Sequence, residues 1–170
     1  MAEAERDGAP EIDQDLGFQR REWALQRLGW LAMGAAILAA LLGLTGRGPL
    51  SRATAGADGG ALRLEYQRFE RLQAPTTLRV LLGAGATGDG QAEVWLAREY
   101  LEAVEIEQIE PEPQESRAGT DRTTYVVAVD QAAEPVAVTF HLRHETFGRR
   151  SGRIGLPDGT AVDFTQVVYP

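Results

Sequence analysis

A stretch of 19 uncharged and mostly apolar residues, 28–46, constrains this chain more than any other feature. It is bounded by Arg27 and Arg47 and has no polar face. A bilayer core of about 30 Å requires about 20 apolar residues in a helix. A surface helix of a soluble domain would carry polar residues along one side. The stretch therefore predicts a membrane-spanning helix, which we place within a longer helix over residues 16–46.

The flanking arginines predict the direction of this span. Arg20, Arg21 and Arg27 precede it, whereas Arg47 and Arg52 follow it. Because positive charge is retained in the cytoplasm, the bias favours a cytoplasmic N-terminus. We therefore expect a single-pass protein of the inner (plasma) membrane whose C-terminal domain is periplasmic or extracellular.

A cleaved signal peptide is the alternative to an anchor. Ala53-Thr54-Ala55 has the A-x-A pattern of a cleavage site shortly after the apolar stretch. However, the preceding 27 residues carry seven acidic side chains, while signal peptides have a short basic segment there. This composition favours an uncleaved signal anchor and leaves cleavage as the second possibility.

One side of the predicted span consists of small side chains. Small residues let two helix backbones approach closely, which is how membrane helices associate. An Ala-rich helix can also produce such a face by chance. The pattern predicts self-association or packing against another membrane protein through Ala32, Ala35, Ala36, Ala39 and Gly43.

Charge and glycine content divide the rest of the chain. Residues 1–15 are acidic and lack apolar periodicity, which predicts a disordered cytoplasmic tail. Residues 47–60 are rich in glycine and predict a linker, and residues 61–170 are long enough to form one core. The net charge is −8, and nucleic-acid binding is not expected because no basic face is concentrated.

Apolar residues alternate with polar ones throughout residues 61–170. Examples are Leu62, Leu64 and Tyr66, which alternate with Arg63, Glu65 and Gln67. Seven to nine short strands of this kind, separated by turn residues, predict a mainly β domain: an antiparallel immunoglobulin-like β-sandwich, with a small barrel as the alternative. The turn 157–159 predicts a hairpin, and residues 97–103 predict a helical turn between strands.

The residue types present exclude several kinds of chemistry. The chain contains no cysteine and no lysine, since all 17 basic residues are arginine. Thiolate ligands, cysteine nucleophiles and Schiff-base chemistry are therefore excluded. His141 and His144 would point to opposite faces of a strand, and we interpret them as a solvated strand end rather than a metal site. We expect no catalytic residues, cofactor or metal, and hence no enzyme.

A second acidic feature precedes the middle of the domain. Seven glutamates fall within 17 residues, but the Asp, Asn and Gly spacing of calcium loops is missing. We interpret them as an exposed acidic face that discourages edge-to-edge strand pairing. They are Glu99, Glu102, Glu105, Glu107, Glu110, Glu112 and Glu115.

Aromatic and basic residues are interleaved just after the linker. Such residues are typical of contact surfaces, and this position in the chain is close to the membrane. The segment 66–71 predicts a contact with a partner or with lipid headgroups, although burial in a first strand is the simpler interpretation. The residues are Tyr66, Arg68, Phe69 and Arg71.

Three short segments carry a resemblance: GPLS at 48–51, YQRF at 66–69 and FTQVVYP at 164–170. The layout resembles small uncharacterised bacterial single-pass inner-membrane proteins with an extracytoplasmic β-rich domain. We expect a membrane-anchored accessory or structural protein whose exported sandwich and small-faced helix contact another membrane protein. The alternative is a membrane-tethered module that binds or senses a ligand.

Overall fold

The computed structural model describes residues 16–41, 48, 50–83, 86–88, 90–129 and 136–170. The predicted tail 1–15 and Gly43 lie outside these residues. Helix α1 comprises Leu16–Leu41. Within it, Arg21–Leu41 is long enough and apolar enough to cross a membrane, with a mean hydropathy of 1.5. A helix with these properties near an N-terminus suits either a membrane span or a signal sequence.

The remainder of the described chain is mainly β and contains one further helix, α2, over Arg98–Leu101. The strands are β1 Arg52–Ala55, β2 Leu62–Gln67, β3 Phe69–Arg71, β4 Pro75–Leu82, β5 Thr87–Gly88, β6 Gln91–Ala97, β7 Val104–Glu110, β8 Pro113–Ala118, β9 Arg122–Ala128, β10 Val136–His144, β11 Gly148–Gly155 and β12 Ala161–Tyr169.

These strands form two open sheets that make a β-sandwich. Sheet A has the order β1-β2-β4-β10-β7. Sheet B has the order β3-β12-β11-β6-β9-β8, with β5 paired to β6. No ladder joins the two sheets among the described residues, so the predicted sandwich is confirmed and the small-barrel alternative is wrong. A barrel requires one sheet that closes on itself.

The core lies between the sheets and follows from the period-two pattern. β10 shows it most clearly, because its residues alternate between buried and half-buried from Val136 to His144. Facing apolar side chains from both sheets fill the interior, and burial of their surface is the main force that holds the sheets together. The fully buried set includes Leu64, Leu78, Val80, Leu96, Phe140, Leu142 and Ile154.

Strand β1 lies inside the segment predicted as a linker. It pairs with the last four residues of β2, and Ala53 faces the core opposite Tyr66. The glycines that suggested flexibility instead form the turn to β2. Gly56 has φ of +97°, and a Cβ there would lie 2.4 Å from the carbonyl oxygen of Leu62. Glycine therefore permits a close backbone approach at this turn.

One strand pair departs from the predicted antiparallel arrangement. The chain bends at Arg68 and passes from β2 in sheet A to β3 in sheet B. As a result, β3 meets β12 in parallel, with Phe69 beside Val167 and Arg71 beside Tyr169. The predicted hairpin at 157–159 is confirmed by β11 and β12, and the predicted helical turn is confirmed by α2.

Candidate functional site

The most polar part of the sandwich interior lies at one end, which we call the proximal end. It contains the start of β1 at Arg52, the end of β12 at Tyr169 and the β10–β11 loop. The chain that follows α1 joins the sandwich here, through Gly48 and Ser51. The β11–β12 turn lies at the opposite, distal end.

Gln166 connects three elements at the proximal end. It points inward from β12 and is fully buried. Its Oε1 accepts a hydrogen bond of 2.8 Å from Oη of Tyr100 in α2, and its Nε2 donates to the carbonyl oxygen of Gln67 at 3.0 Å. Buried amides require such partners, because an unpaired polar group in the interior is costly. The network therefore ties α2 and both sheets together.

His144 lies beside this network on β10 and is also fully buried. Its ring packs edge-on against Tyr100, with 6.1 Å between ring centroids. Neither ring nitrogen makes a well-formed hydrogen bond with a described residue. The pKa of His144 is lowered to about 4, mainly by burial and also by the charge of Arg150, while contact with the Gln166 side chain offsets part of the shift. The imidazole is therefore neutral at pH 7.

A buried carboxyl group bridges the sheets at the same end. Glu70 points inward from β3, and its side chain accepts a hydrogen bond from the hydroxyl of Thr76 on β4. A crevice of about 350 Å³ opens beside this pair and is also lined by Gln67, Pro75 and Thr77. Burial and the nearby Glu70 charge raise the pKa of Tyr100 far above its ordinary value. Tyr100 therefore remains a hydrogen-bond donor at any physiological pH.

These properties give the interior cluster a structural rather than a reactive character. A general base is most effective when its pKa lies near the working pH and a second group orients it. The pKa of His144 lies well below that range, and the hydroxyl of Tyr100 is already committed to Gln166. Among the residues the structure describes, no group of three or more potential metal ligands converges.

The two histidines lie on opposite faces of β10, as predicted. His141 lies on the outer face of sheet A, with its Nε2 3.6 Å from a carboxylate oxygen of Glu110. The interpretation of both as a solvated strand end is wrong for His144, which is buried. The alternation that starts at Val136 requires an inward side chain at position 144, and no turn residue ends the strand before it.

The predicted acidic face is exposed along the edge strand β7. Glu105, Glu107 and Glu110 are exposed there, and Glu107 pairs with Arg143 of the neighbouring strand β10. Charged side chains on an edge strand discourage pairing with another sheet. This agrees with the interpretation drawn from the sequence.

The four residues of the predicted contact segment do not share one surface. Tyr66 turns inward and packs against Phe164, with 5.4 Å between ring centroids. Phe69 and Arg71 share the outer face of β3, and Arg68 is exposed at the bend before it. The structure thus keeps three of the four residues at one edge of the proximal end, and contact with a partner stays a prediction.

The small-residue face of α1 is present over the described part of the helix. The side chains of Ala32, Ala35 and Ala36 are exposed, and that of Ala39 is partly exposed. Because α1 contains no proline, these positions stay on one side along its length. Association through this face stays a prediction.

The interior residues Tyr100, His144 and Gln166 were not predicted as a site. The pattern Phe164, Gln166, Val168 offered a signal, because it places a polar residue at an inward position of an alternating strand. A polar residue at such a position implies a buried partner.

Comparisons with known proteins add one structural similarity. No protein-family model matches the chain, and no curated protein matches it. One similar solved structure is a cohesin module from a Clostridium perfringens family 33 glycoside hydrolase. The identity is 10%, the TM-score is 0.41, and the match covers 66% of this chain and 98% of that one.

Proposed function

We propose that this protein is a single-pass inner-membrane accessory protein. Its N-terminus is cytoplasmic, and its immunoglobulin-like sandwich is exported and contacts another membrane protein. The observation that carries the proposal is α1, a 26-residue helix whose apolar segment Arg21–Leu41 contains no buried residue. An apolar helix of this length is favourable in a bilayer and unfavourable in water.

The position of β1 supports an uncleaved anchor. Cleavage after Ala55 would remove Ser51 and Ala53, both of which are buried in the sandwich. The carbonyl of Ser51 accepts a hydrogen bond of 2.6 Å from the backbone N–H of Arg68. The folded domain thus uses residues that a signal peptidase would discard. Intact-mass measurement of the membrane-bound protein should give the full-length chain, and a chain starting at Gly56 would contradict the anchor.

The small-residue face of α1 is the surface through which we expect contact within the membrane. Close backbone approach gains packing contacts that large side chains would block. Ala36 lies on this face, while Gly34 lies on the opposite side of the same helix. The two positions therefore form a matched pair for a crosslinking experiment.

The test places a photo-crosslinking residue at Ala36 or at Gly34 in the full chain, expressed in bacterial membranes. We expect a crosslinked product of higher mass from position 36, and little or none from position 34. A product with twice the mass of the chain would assign self-association. A product of any other mass would assign contact with a different protein. The absence of products at both positions would overturn the contact. A C-terminal topology reporter that is active in the cytoplasm would overturn the export.

A further inference from the structure

We propose that the proximal end of the sandwich docks on the anionic lipid headgroups of the membrane that holds α1. This inference rests on the membrane anchoring proposed above and adds a second contact with the bilayer. The large apolar side chains of the sandwich that are most exposed, among the described residues, all lie at this end. They are Leu50, Phe147 and Val167, at 47%, 66% and 42% exposure.

Backbone pairing shows that these side chains share one region with three arginines. Val167 is opposite Arg149 on one side and Phe69 on the other, so the three side chains form a row on the outer face of sheet B. The N–H of Val167 also donates to the carbonyl of Arg68 at 2.7 Å. We call Leu50, Phe147, Val167, Arg68, Arg71 and Arg149 the proximal patch.

The segment just before β1 belongs to the same region. Leu50 directly precedes Ser51, whose Oγ donates to the carbonyl of Phe69 at 3.2 Å and accepts from its N–H at 3.3 Å. Phe147 directly precedes Gly148, which pairs with Val168. The exposed apolar side chains are therefore held near β3 and the end of β12 by main-chain bonds.

The three arginines of the proximal patch differ from five other arginines of the sandwich in having no carboxylate partner among the described residues. Arg63, Arg79, Arg117, Arg143 and Arg153 each form an ion pair with a carboxylate. Arg68, Arg71 and Arg149 are exposed and form none with a carboxylate in the described part of the chain. The exposed acids at this end are Glu102, Glu105 and Glu145, and none of them forms an ion pair with an arginine of the patch. Unneutralised arginine beside exposed aromatic and aliphatic groups is the composition that binds anionic interfaces.

The tether favours the membrane as the occupant of this patch. Six residues connect Leu41 of α1 to Gly48, and a segment of that length spans at most about 25 Å. A short tether maintains a high effective concentration of the lipid surface at the patch. Weak individual contacts are then sufficient for docking.

The test uses the full chain, which has no cysteine of its own, in nanodiscs with nitroxide-labelled headgroups. An environment-sensitive fluorophore is attached at Thr146→Cys beside Phe147, at Asp158→Cys in the distal turn, or at Ile37→Cys in α1. In discs containing phosphatidylglycerol we expect strong quenching at position 146 and little at position 158. Discs of phosphatidylcholine should give weaker quenching at 146. Each Arg→Gln change at 71 or 149 should reduce the docked-to-undocked ratio about fivefold.

The three labels distinguish the possible failures. An Ile37→Cys fluorophore that behaves as in water would overturn the anchoring and hence the proposed function. A lipid-embedded position 37 with equal, weak quenching at 146 and 158 would overturn the docking alone. The role of the anionic headgroups would be overturned if quenching at position 146 were the same in both lipids and unchanged by the arginine substitutions. Crosslinking of position 147 to a protein in native membranes, without quenching in discs, would assign the patch to a protein partner instead.

Discussion

Oη of Tyr100 donates a hydrogen bond of 2.8 Å to Oε1 of Gln166 in the interior of the sandwich. Through its other end, the same amide donates to the backbone of Gln67 in the facing sheet. One side chain from β12 therefore holds α2, sheet A and sheet B in register. The arrangement explains how a polar side chain occupies an inward strand position without destabilising the core.

Tyr100→Phe should destabilise the protein by about 1–3 kcal/mol, because Oε1 of Gln166 would remain buried without a donor. Tyr66→Phe is the matched control, since Tyr66 also packs against Phe164 and its hydroxyl has no hydrogen bond to a described residue. Urea unfolding monitored by tryptophan fluorescence gives the free energy of unfolding of both variants and of the native chain. Equal effects of the two substitutions would contradict the role of the Tyr100–Gln166 bond.

Stability should fall as the pH drops below the ordinary pKa of histidine, and His144 should cause part of the loss. The folded pKa of His144 is about 4, below its ordinary value of 6.5, so the unfolded chain binds the proton first. Well above pH 6.5 the imidazole is neutral in both states, and the group contributes no pH dependence. Between pH 6.5 and 4 the loss from this group approaches, but does not exceed, about 3 kcal/mol.

His144→Leu should therefore flatten the dependence of the unfolding free energy on pH between 6.5 and 4. His141→Leu is the control, because His141 is partly exposed on the outer face of the same strand. The measurement is the free energy of unfolding at several pH values for both variants and the native chain. If the native chain and His144→Leu gave parallel curves, the buried neutral imidazole would not be the cause.

Gly152→Ala should destabilise the protein by about 1–3 kcal/mol through overpacking. A Cβ at position 152 would lie 2.4 Å from Cζ of Phe164 and 2.8 Å from Cδ2 of Tyr100. Gly88→Ala is the control, because no atom lies within 4 Å of a Cβ built there. Thermal unfolding should show a clear drop in Tm for the first variant and little change for the second.

The alternation of apolar residues was sufficient to predict the sandwich. Runs such as Val136, Val138, Phe140 and Leu142 specify which face of a strand is buried, and the turn at 157–159 specifies a hairpin. Strands β1, β3, β5 and β8 were not predicted. They are short or polar, and their pairing comes from tertiary contacts rather than from their own pattern. β8, for instance, has five exposed residues out of six.

The interior cluster was not predicted for a similar reason. The final strand was interpreted as two extended stretches, which interrupted the alternation at Gln166. Which partner satisfies a buried amide depends on the three-dimensional packing of α2 against β11 and β12. Sequence spacing does not specify that packing, because Tyr100 and Gln166 lie 66 residues apart.

The last prediction concerns β1, the strand within the predicted linker. Ala53→Arg should destabilise the full chain by about 2–4 kcal/mol, because position 53 faces the core and the new charge would have no partner there. Thr54→Arg should have little effect, since Thr54 is exposed and lies opposite Glu65 on the outer face. Urea unfolding of the detergent-solubilised chain measures the difference. If both variants unfolded at the same urea concentration as the native chain, residues 52–55 would not be part of the folded domain. The structural argument against cleavage after Ala55 would then fail.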